Sequence, residues 1–399
     1  MSASDSSEFE ENAPDWDKEE KGVIERKKEC DHKLPLAFKL KRHPCHCVCL
    51  PTSPHVVVAD HKGVISVLHY DSYVESSSKS QDPNKSQLPQ VSLKCVEKAH
   101  NSFFYLDSNA SSTQLVSGGD GRSIVLSDIE TGLKPVVRIS KAHGSSISAV
   151  CWYNDSCVVT GDTRGRIKAF DVRMGNSGKR RRVFKFYEHE GEMTDFSGDS
   201  ARRLLFASST DSTMSTIDFR RTQYKMQSQP SSNGEMRSVL VMGEQESKVV
   251  CGLSDGHVQI YQKGYYGVHT ESLPIFDQMP NGRADLNLDK MRAIGDNVYA
   301  VSDDNGHIFA YSLFPNRRLT KVGCHRLATE CFDLDYSGNV LISCGADKLL
   351  KFWDVSVLAA SEILEQRSKQ TTKQQILAIR KCFDPAAAFF ADLHDSNGA

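Results

Sequence analysis

The sequence predicts an all-β protein, a seven-bladed β-propeller with a disordered acidic N-terminus and a short helical C-terminal tail. Three observations lead to this prediction. One pattern, an apolar strand, a turn of Asp, Gly, Asn or Ser and then an alternating strand, occurs seven times. The copies follow one another at intervals of 42 to 58 residues. No stretch approaches the roughly 18 apolar residues that a membrane span needs, so no membrane contact is expected.

The register of the repeats is set by one small residue in each copy. Eleven positions later the alternating strand ends, with an aspartate in four of the copies. A repeat of roughly 40 to 45 residues that ends in Trp-Asp is the signature of WD-repeat propellers, in which each repeat supplies the four strands of a blade. Seven copies therefore predict seven blades, although only Trp353-Asp354 keeps the full dipeptide. The seven small residues are Ala59, Ser117, Thr160, Ala207, Cys251, Val301 and Ser343.

The seventh copy is the most complete. In WD-repeat proteins a His, a Ser or Thr, a turn Asp and the Trp form a hydrogen-bonded chain within a blade. Here His325, Ser343, Asp347 and Trp353 occupy the matching positions, and Asp354 completes the dipeptide. A Ser, a His and an Asp in one segment could also be a hydrolase triad, but the repeat favours a structural role. The same role is predicted for the histidines before copies two to four, His100, His143 and His189.

The repeats divide the chain into three parts. Residues 1–33 begin with eight acids and one lysine in the first twenty positions, which indicates a disordered acidic arm. Residues 34–356 form the propeller, in which the Ser- and Pro-containing insertion 71–90 is expected to be a solvated loop. An open ring would expose two sheet edges, so we predict that Leu36–Leu40 closes it as the outermost strand of the last blade. Residues 357–399 are predicted to be a helical or flexible tail.

Motifs for catalysis are missing from the sequence. There is no P-loop, GxSxG or HExxH pattern, so we predict no enzyme, no catalytic residue and no cofactor. The segment His43–Cys49, HPCHCVC, is the one cluster that suggests a metal. On one extended strand its three cysteines would point to one face at intervals of about 6.6 Å, too far apart for thiolates sharing a zinc ion. We therefore favour a thiol-lined core face, and the twelve scattered cysteines indicate a reducing compartment.

A basic run follows the third copy. Lys179, Arg180, Arg181 and Arg182 lie between the segments FDV and VFKF, in the predicted turn between the two outer strands of blade three. The net charge of −2 gives no overall field that attracts nucleic acid. The run is either a solvated turn or a contact for nuclear import or RNA phosphate, and direct RNA contact stays open. Arg202 and Arg203 are expected on the same face of the ring.

Several segments resemble the WD repeat-containing protein 55 family, over roughly residues 35 to 393. They include SKAHGSSISAVCWYNDSCVVTGDTRGRIKAFDVR, SLFPNRRLTKVGCH, LKFWDV and FFADL. Members of that family are nucleolar propellers tied to ribosomal RNA synthesis and processing. The resemblance implies a monomeric, non-catalytic scaffold in the nucleus and nucleolus, with pre-ribosomal assembly factors as partners. Unlike the family, this chain lacks a long basic C-terminal tail.

A second function class rests on a motif in the blades. Some WD-repeat proteins use Trp-Asp-x-Arg to dock on the damaged-DNA-binding adaptor of cullin ubiquitin ligases. The segments Asp171-Val172-Arg173 and Asp218-Phe219-Arg220 resemble this motif, with Phe170 and Ile217 in place of the tryptophan. This alternative makes the chain a ligase substrate receptor. The opposing interpretation is that each arginine pairs with a neighbouring carboxylate.

Overall fold

The computed structural model describes residues 37–70, 91–102, 104–173, 182–199, 203–243, 248–275, 287–314, 316–356 and 358. The predicted acidic arm, the insertion 71–90 and the tail beyond residue 358 lie outside these ranges. Within them the chain forms twenty-eight strands in seven antiparallel sheets of four strands. No helix among the described residues has the length and hydrophobicity that a bilayer crossing requires. The predicted seven-bladed propeller is confirmed.

A short first strand, β1 (Ala37–Lys39), precedes six blades that are continuous in the chain. Blade one contains β2 (Pro44–Cys49), β3 (His55–Asp60), β4 (Val64–Tyr70) and β5 (Val91–Lys98). Blade two contains β6 (Phe104–Ser108), β7 (Gln114–Gly119), β8 (Ile124–Asp128) and β9 (Lys134–Ile139). Blade three contains β10 (Ile147–Asn154), β11 (Cys157–Asp162), β12 (Ile167–Asp171) and β13 (Arg182–Phe186).

The second half of the ring follows the same order. Blade four contains β14 (Met193–Asp199), β15 (Leu204–Ser209), β16 (Met214–Asp218) and β17 (Gln223–Gln227). Blade five contains β18 (Met236–Met242), β19 (Lys248–Leu253), β20 (His257–Tyr261) and β21 (Glu271–Pro274). Blade six contains β22 (Lys290–Ala293), β23 (Val298–Ser302), β24 (His307–Leu313) and β25 (Asn316–Cys324). Blade seven contains β26 (Thr329–Leu334), β27 (Val340–Gly345) and β28 (Leu349–Asp354), and it takes β1 as its fourth strand.

The ring is closed by the N-terminal strand. Strand β1 lies antiparallel to β28, with Phe38 opposite Leu350, and the Leu40 N–H donates to the Lys348 carbonyl over 2.8 Å. Phe38 and Leu40 pack against the apolar cluster between blades seven and one. The inner strands β2 and β26 also contact each other, so the first and last blades are neighbours. This confirms the predicted closing strand, of which Leu36 lies outside the described residues.

The hydrophobic core is divided among the interfaces between blades. Each of seven buried clusters combines residues from two adjacent blades, and every adjacent pair has one. Side chains alternate between the two faces of a strand, so a blade buries both faces only when it has a neighbour on each side. Strand β11, for example, is buried at all six positions. A single blade would expose two apolar faces, and the folding unit is therefore the closed ring.

The predicted register is wrong by one residue in blade one. Asp60 Oδ1 accepts backbone N–H groups two and four residues later, at 2.8 and 3.0 Å, and Asp162 Oδ1 does the same at 3.0 and 3.1 Å. Asp60 is therefore equivalent to Asp162, and Val58 to Thr160. The predicted alignment used Ala59 because it is the nearest small residue, whereas the repeat position in this blade holds a branched one.

The two faces of the ring differ in the connections that they carry. In an antiparallel four-stranded blade, the loop that enters the blade and the turn after the second strand lie at one end. We call this the entry face, and it carries His100, His143, His189 and His325. The turns after the first and third strands lie on the opposite face.

Candidate functional site

A chain of hydrogen bonds runs through blade seven. The Trp353 indole Nε1–H donates to Ser343 Oγ over 2.8 Å, and Ser343 Oγ lies 2.7 Å from His325 Nε2. His325 Nδ1 lies 3.0 Å from Asp347 Oδ1. A neutral histidine has one donor and one acceptor, so Nδ1–H donates to the carboxylate and Nε2 accepts the serine hydroxyl. The network joins the entry loop to the second and third strands of the blade.

The blade-seven network contains a Ser, a His and an Asp, but its burial excludes the solvent access that a hydrolase triad needs. Ser343 is 0% exposed and His325 is 4% exposed. Burial lowers the pKa of His325, which keeps the imidazole neutral. The serine oxygen accepts the indole N–H of Trp353 and is not free to attack a substrate. In this arrangement the three groups have a structural role.

Blade three contains a shorter version of the network. His143 Nε2 lies 2.8 Å from Thr160 Oγ1, and His143 Nδ1 lies 3.0 Å from Asp162 Oδ2. The aspartate follows the hydroxyl residue by two positions in this blade and by four in blade seven. Burial alone would raise the pKa of Asp162, but hydrogen bonds, above all from His143, lower it to about 2. Phe170 takes the place of the tryptophan and donates no hydrogen bond.

Blade four takes its hydroxyl from a different strand. Ala207 occupies the repeat position and has none, and Ser215 on β16 contacts His189 Nε2 in its place. His189 Nδ1 lies 2.9 Å from Asp211 Oδ2. Burial would raise the pKa of Asp211, but the hydrogen bond from His189 contributes to lowering it to about 2. The entry histidine thus keeps its role while the residue that supplies the hydroxyl changes.

The entry loops are positioned by the preceding blade. The His100 backbone N–H donates to the Gly63 carbonyl over 3.1 Å, and the His325 N–H donates to the Gly306 carbonyl over 2.8 Å. Gly63 has a φ of 84°, and a Cβ there would lie 2.0 Å from the His100 carbonyl oxygen. Only glycine fits at this distance and φ without a shift of the backbone. Each network therefore depends on contact between neighbouring blades.

The segment that contains the blade-seven network matches a known repeat family. Residues 317–354, which include Ser343 and Trp353, match the model of the WD domain, G-beta repeat.

The chain is a WD-repeat propeller.

Its relatives include WD repeat-containing protein 55 from Mus musculus, 30% identical over 61% of this chain and 59% of that protein. The Rattus norvegicus protein is 28% identical over 71% of this chain and 70% of its own length. The Drosophila persimilis homolog is 27% identical over 70% of this chain and 53% of its own length. The match therefore spans less than two thirds of the mouse and Drosophila proteins. This WD-repeat propeller resembles the WD repeat-containing protein 55 family.

The cysteine-rich segment of the WD-repeat propeller lines two interfaces instead of one. Cys45 belongs to the cluster between blades one and two, whereas Cys47 and Cys49 belong to the cluster between blades seven and one. The prediction that all three point to one face is wrong, because a register shift between Pro44 and His46 interrupts the alternation of β2. Burial raises the pKa of the Cys45 thiol to about 12. No group of three or more His, Cys, Asp or Glu among the described residues could hold a metal ion.

The two Asp-x-Arg segments lie at the opposite face of the WD-repeat propeller. Arg173 donates from Nε to Asp171 Oδ1 over 3.1 Å and from a terminal nitrogen to Oδ2 over 2.8 Å. This is the pairing expected when the arginine neutralises a neighbouring carboxylate. Asp218 Oδ1 instead accepts the backbone N–H of Arg221 over 3.0 Å, and no hydrogen bond between Asp218 and Arg220 is found. The comparisons do not support the ligase-receptor alternative.

The basic run is only partly within the described residues. Arg182 begins β13 and is exposed, whereas Lys179, Arg180 and Arg181 lie outside the described ranges. Arg203 is exposed in the turn between β14 and β15, with a φ of 57°, and Arg202 lies outside. The start of β13 and the turn between β14 and β15 lie on the opposite face, so Arg182 and Arg203 are on the same side of the ring.

Sequence reasoning missed a set of contacts that join the inner strands. Asp107 Oδ2 accepts the Trp152 N–H over 2.6 Å, and Asp333 Oδ2 accepts the Cys49 N–H over 2.9 Å. In each case the acceptor reaches the inner strand of the next blade. Burial raises the pKa of Asp107 to about 6. Polar residues on apolar inner strands were the available signal, but the repeat pattern does not mark them.

Proposed function

We propose that this WD-repeat propeller is a non-catalytic interaction scaffold that acts in the nucleolus in ribosomal RNA synthesis or processing. One observation carries the scaffold role: the His, Ser and Asp groups capable of catalysis are buried in the blade-seven network, with Trp353 bound to the serine. The resemblance to WD repeat-containing protein 55 supports the ribosomal role. Pre-ribosomal assembly factors are the proposed partners, and the nucleus and nucleolus the proposed location.

The construction of the ring suits this role. Its core lies between blades, and the closing strand and the inner-strand contacts join blade seven to blade one. Turns attached to such a ring are held in place before a partner arrives. A partner then binds with little free energy spent on ordering the turns. The two faces and the outer strands offer separate surfaces for several partners.

The ribosomal role is tested by depletion and replacement. Cells depleted of the protein would be pulse-labelled to follow precursor ribosomal RNAs, and a tagged copy would be located by microscopy and purified with its partners. We expect precursors to accumulate, the wild-type copy to restore processing, and the tagged copy to co-purify with pre-ribosomal factors in the nucleolus. Normal precursors together with an absence of pre-ribosomal factors would refute the ribosomal role and leave the scaffold fold unaffected.

The basic run is tested in the same cells. A copy with Lys179, Arg180, Arg181 and Arg182 replaced by serine would be compared with one carrying Lys225→Gln, a change at an exposed lysine of blade four. If the run contributes to import or partner binding, the first copy will restore processing less well than the second. Equal restoration would assign the run to a solvated turn.

A further inference from the structure

Positive charge is concentrated in blade three. Between Lys141 and Glu190 the chain has ten basic and five acidic residues, although the whole chain has a net charge of −2. Arg164, Arg182 and Lys185 are exposed, and Arg166 is half-buried. No carboxylate partner is found for these four cations within the described residues. Their charge is therefore available to a ligand.

An exposed aromatic ring lies beside two of these cations, Arg166 and Lys185. The solvent face of β13 continues beyond the strand, so that Val183, Lys185 and Tyr187 point outward at every second position. Tyr187 is 53% exposed. The Lys185 ammonium lies 5.1 Å from the ring centroid, and the Arg166 guanidinium lies 5.6 Å from it. The outer edge of blade three thus combines cations with an exposed ring.

The charge of three of these cations also affects a buried lysine of blade three. Burial lowers the pKa of Lys168, whereas the charge of Asp162 raises it. The charges of Arg182, Arg166 and Lys185 lower this pKa further. Burial, and to a smaller extent the charge of Glu188, raises the pKa of Tyr224 in blade four. The outer edge of blade three therefore combines several cations that have no paired carboxylate among the described residues.

We propose that Arg164, Arg166, Arg182, Lys185 and Tyr187, together the blade-three stripe, bind single-stranded RNA. The cations contact phosphates, and Tyr187 stacks on a base. Cations interleaved with an exposed aromatic side chain are the combination by which proteins hold single strands, since every base offers a flat face. An acidic peptide would use the cations but has no base to stack on the ring. The choice of RNA over DNA rests on the proposed function.

The stripe is tested by fluorescence anisotropy with a labelled twelve-residue oligouridylate and the full chain. Loss of one stacked base in Tyr187→Ser should weaken binding about tenfold. Removal of two phosphate contacts in the double variant Arg166→Gln, Lys185→Gln should reduce the slope of log K against log salt by about 1.4. Lys225→Gln, which removes an exposed lysine from the outer strand of blade four, should leave both values unchanged.

Two competing ligands decide the occupant. Oligothymidylate of the same length should bind more weakly than oligouridylate, and a polyglutamate peptide should bind independently of Tyr187. Equal binding of the DNA would overturn the assignment to RNA, and tighter binding of the peptide would overturn the assignment to nucleic acid. Unchanged RNA binding by the Tyr187 and double variants would remove the stripe as the site. None of these results affects the precursor measurements that test the ribosomal role.

Discussion

Replacing Ser343 by alanine should destabilise the propeller by removing the central atom of the blade-seven network. Trp353 Nε1–H then loses its acceptor, and His325 Nε2 loses the hydroxyl that donates to it. Ser343 is fully buried, so water does not replace the hydroxyl. A buried polar group left without a partner costs about 1–3 kcal/mol. We expect the free energy of unfolding to fall by about 2–5 kcal/mol, since the two losses share one site.

A matched change in blade three separates the two losses. In Thr160→Val, His143 Nε2 loses its hydrogen bond with the threonine hydroxyl. Phe170, unlike Trp353, has no side-chain N–H, so no second group loses a partner. The expected loss is about 1–3 kcal/mol, smaller than that of Ser343→Ala. Urea unfolding followed by far-ultraviolet circular dichroism measures both, with equal m-values as the control for a common unfolding reaction.

The reasoning is refuted if Ser343→Ala costs no more than Thr160→Val, or if both lie within about 0.5 kcal/mol of the wild type. The second result would mean that the hydroxyls do not stabilise the blades. A catalytic serine would also give an unchanged free energy of unfolding, because its loss would affect activity and leave stability unchanged.

Three further predictions concern other contacts. Burial lowers the pKa of His100 from 6.5 to about 4, so the unfolded chain binds more protons between these values. Stability should therefore fall by up to about 3 kcal/mol as the pH drops through this window, and His100→Gln should remove that part of the pH dependence of the urea midpoint. Asp333→Ala should lower the free energy of unfolding by about 2–4 kcal/mol, because the Cys49 N–H and an arginine of blade six lose their partner. Amide exchange in β2 should also become faster. Asp333→Asn should cost less. Gly165→Ala should lower the free energy of unfolding by more than about 2 kcal/mol, because φ is 72° and the Cβ would lie 2.1 Å from a carbonyl oxygen. Gly132 has a φ of 83° but faces open space, so Gly132→Ala should cost about 1 kcal/mol in the same unfolding assay.

The number of blades was predictable because it depends on local patterns. Alternating strands and their turns recur within each copy, and the chain before the first copy is apolar enough to close the ring. The blade-seven positions were also predictable, because that copy keeps the His, the Ser, the Asp and the Trp at the usual spacing. In blade four the same reasoning reaches Ala207, which has no hydroxyl, and cannot find Ser215 on the next strand.

Errors in the prediction arose where a strand departs from regular alternation. A register shift near Pro44 turns Cys45 toward a different interface from Cys47. In blade one a valine occupies the position that is small in most copies, so the alignment moved by one residue to Ala59. The register shift in β2 has no signal in the sequence, because it depends on how β2 and β3 pair. The alignment error does have one, since Asp60 and Gly63 repeat the spacing of Asp162 and Gly165 and align Val58 with Thr160.

Seven repeated segments and the complete network of the last blade follow from the amino-acid order alone, because residues close in the chain form them. The strand that seals the ring is marked by its apolar sequence, although its partner β28 lies at the other end of the propeller. The hydroxyl partner of the entry histidine in blade four, the carboxylates that join adjacent inner strands and the two cations beside Tyr187 depend on the tertiary structure. They bring together side chains from separate strands and blades, and their distances are set by packing at the interfaces. A repeat pattern records the spacing along the chain, and it contains no record of those distances.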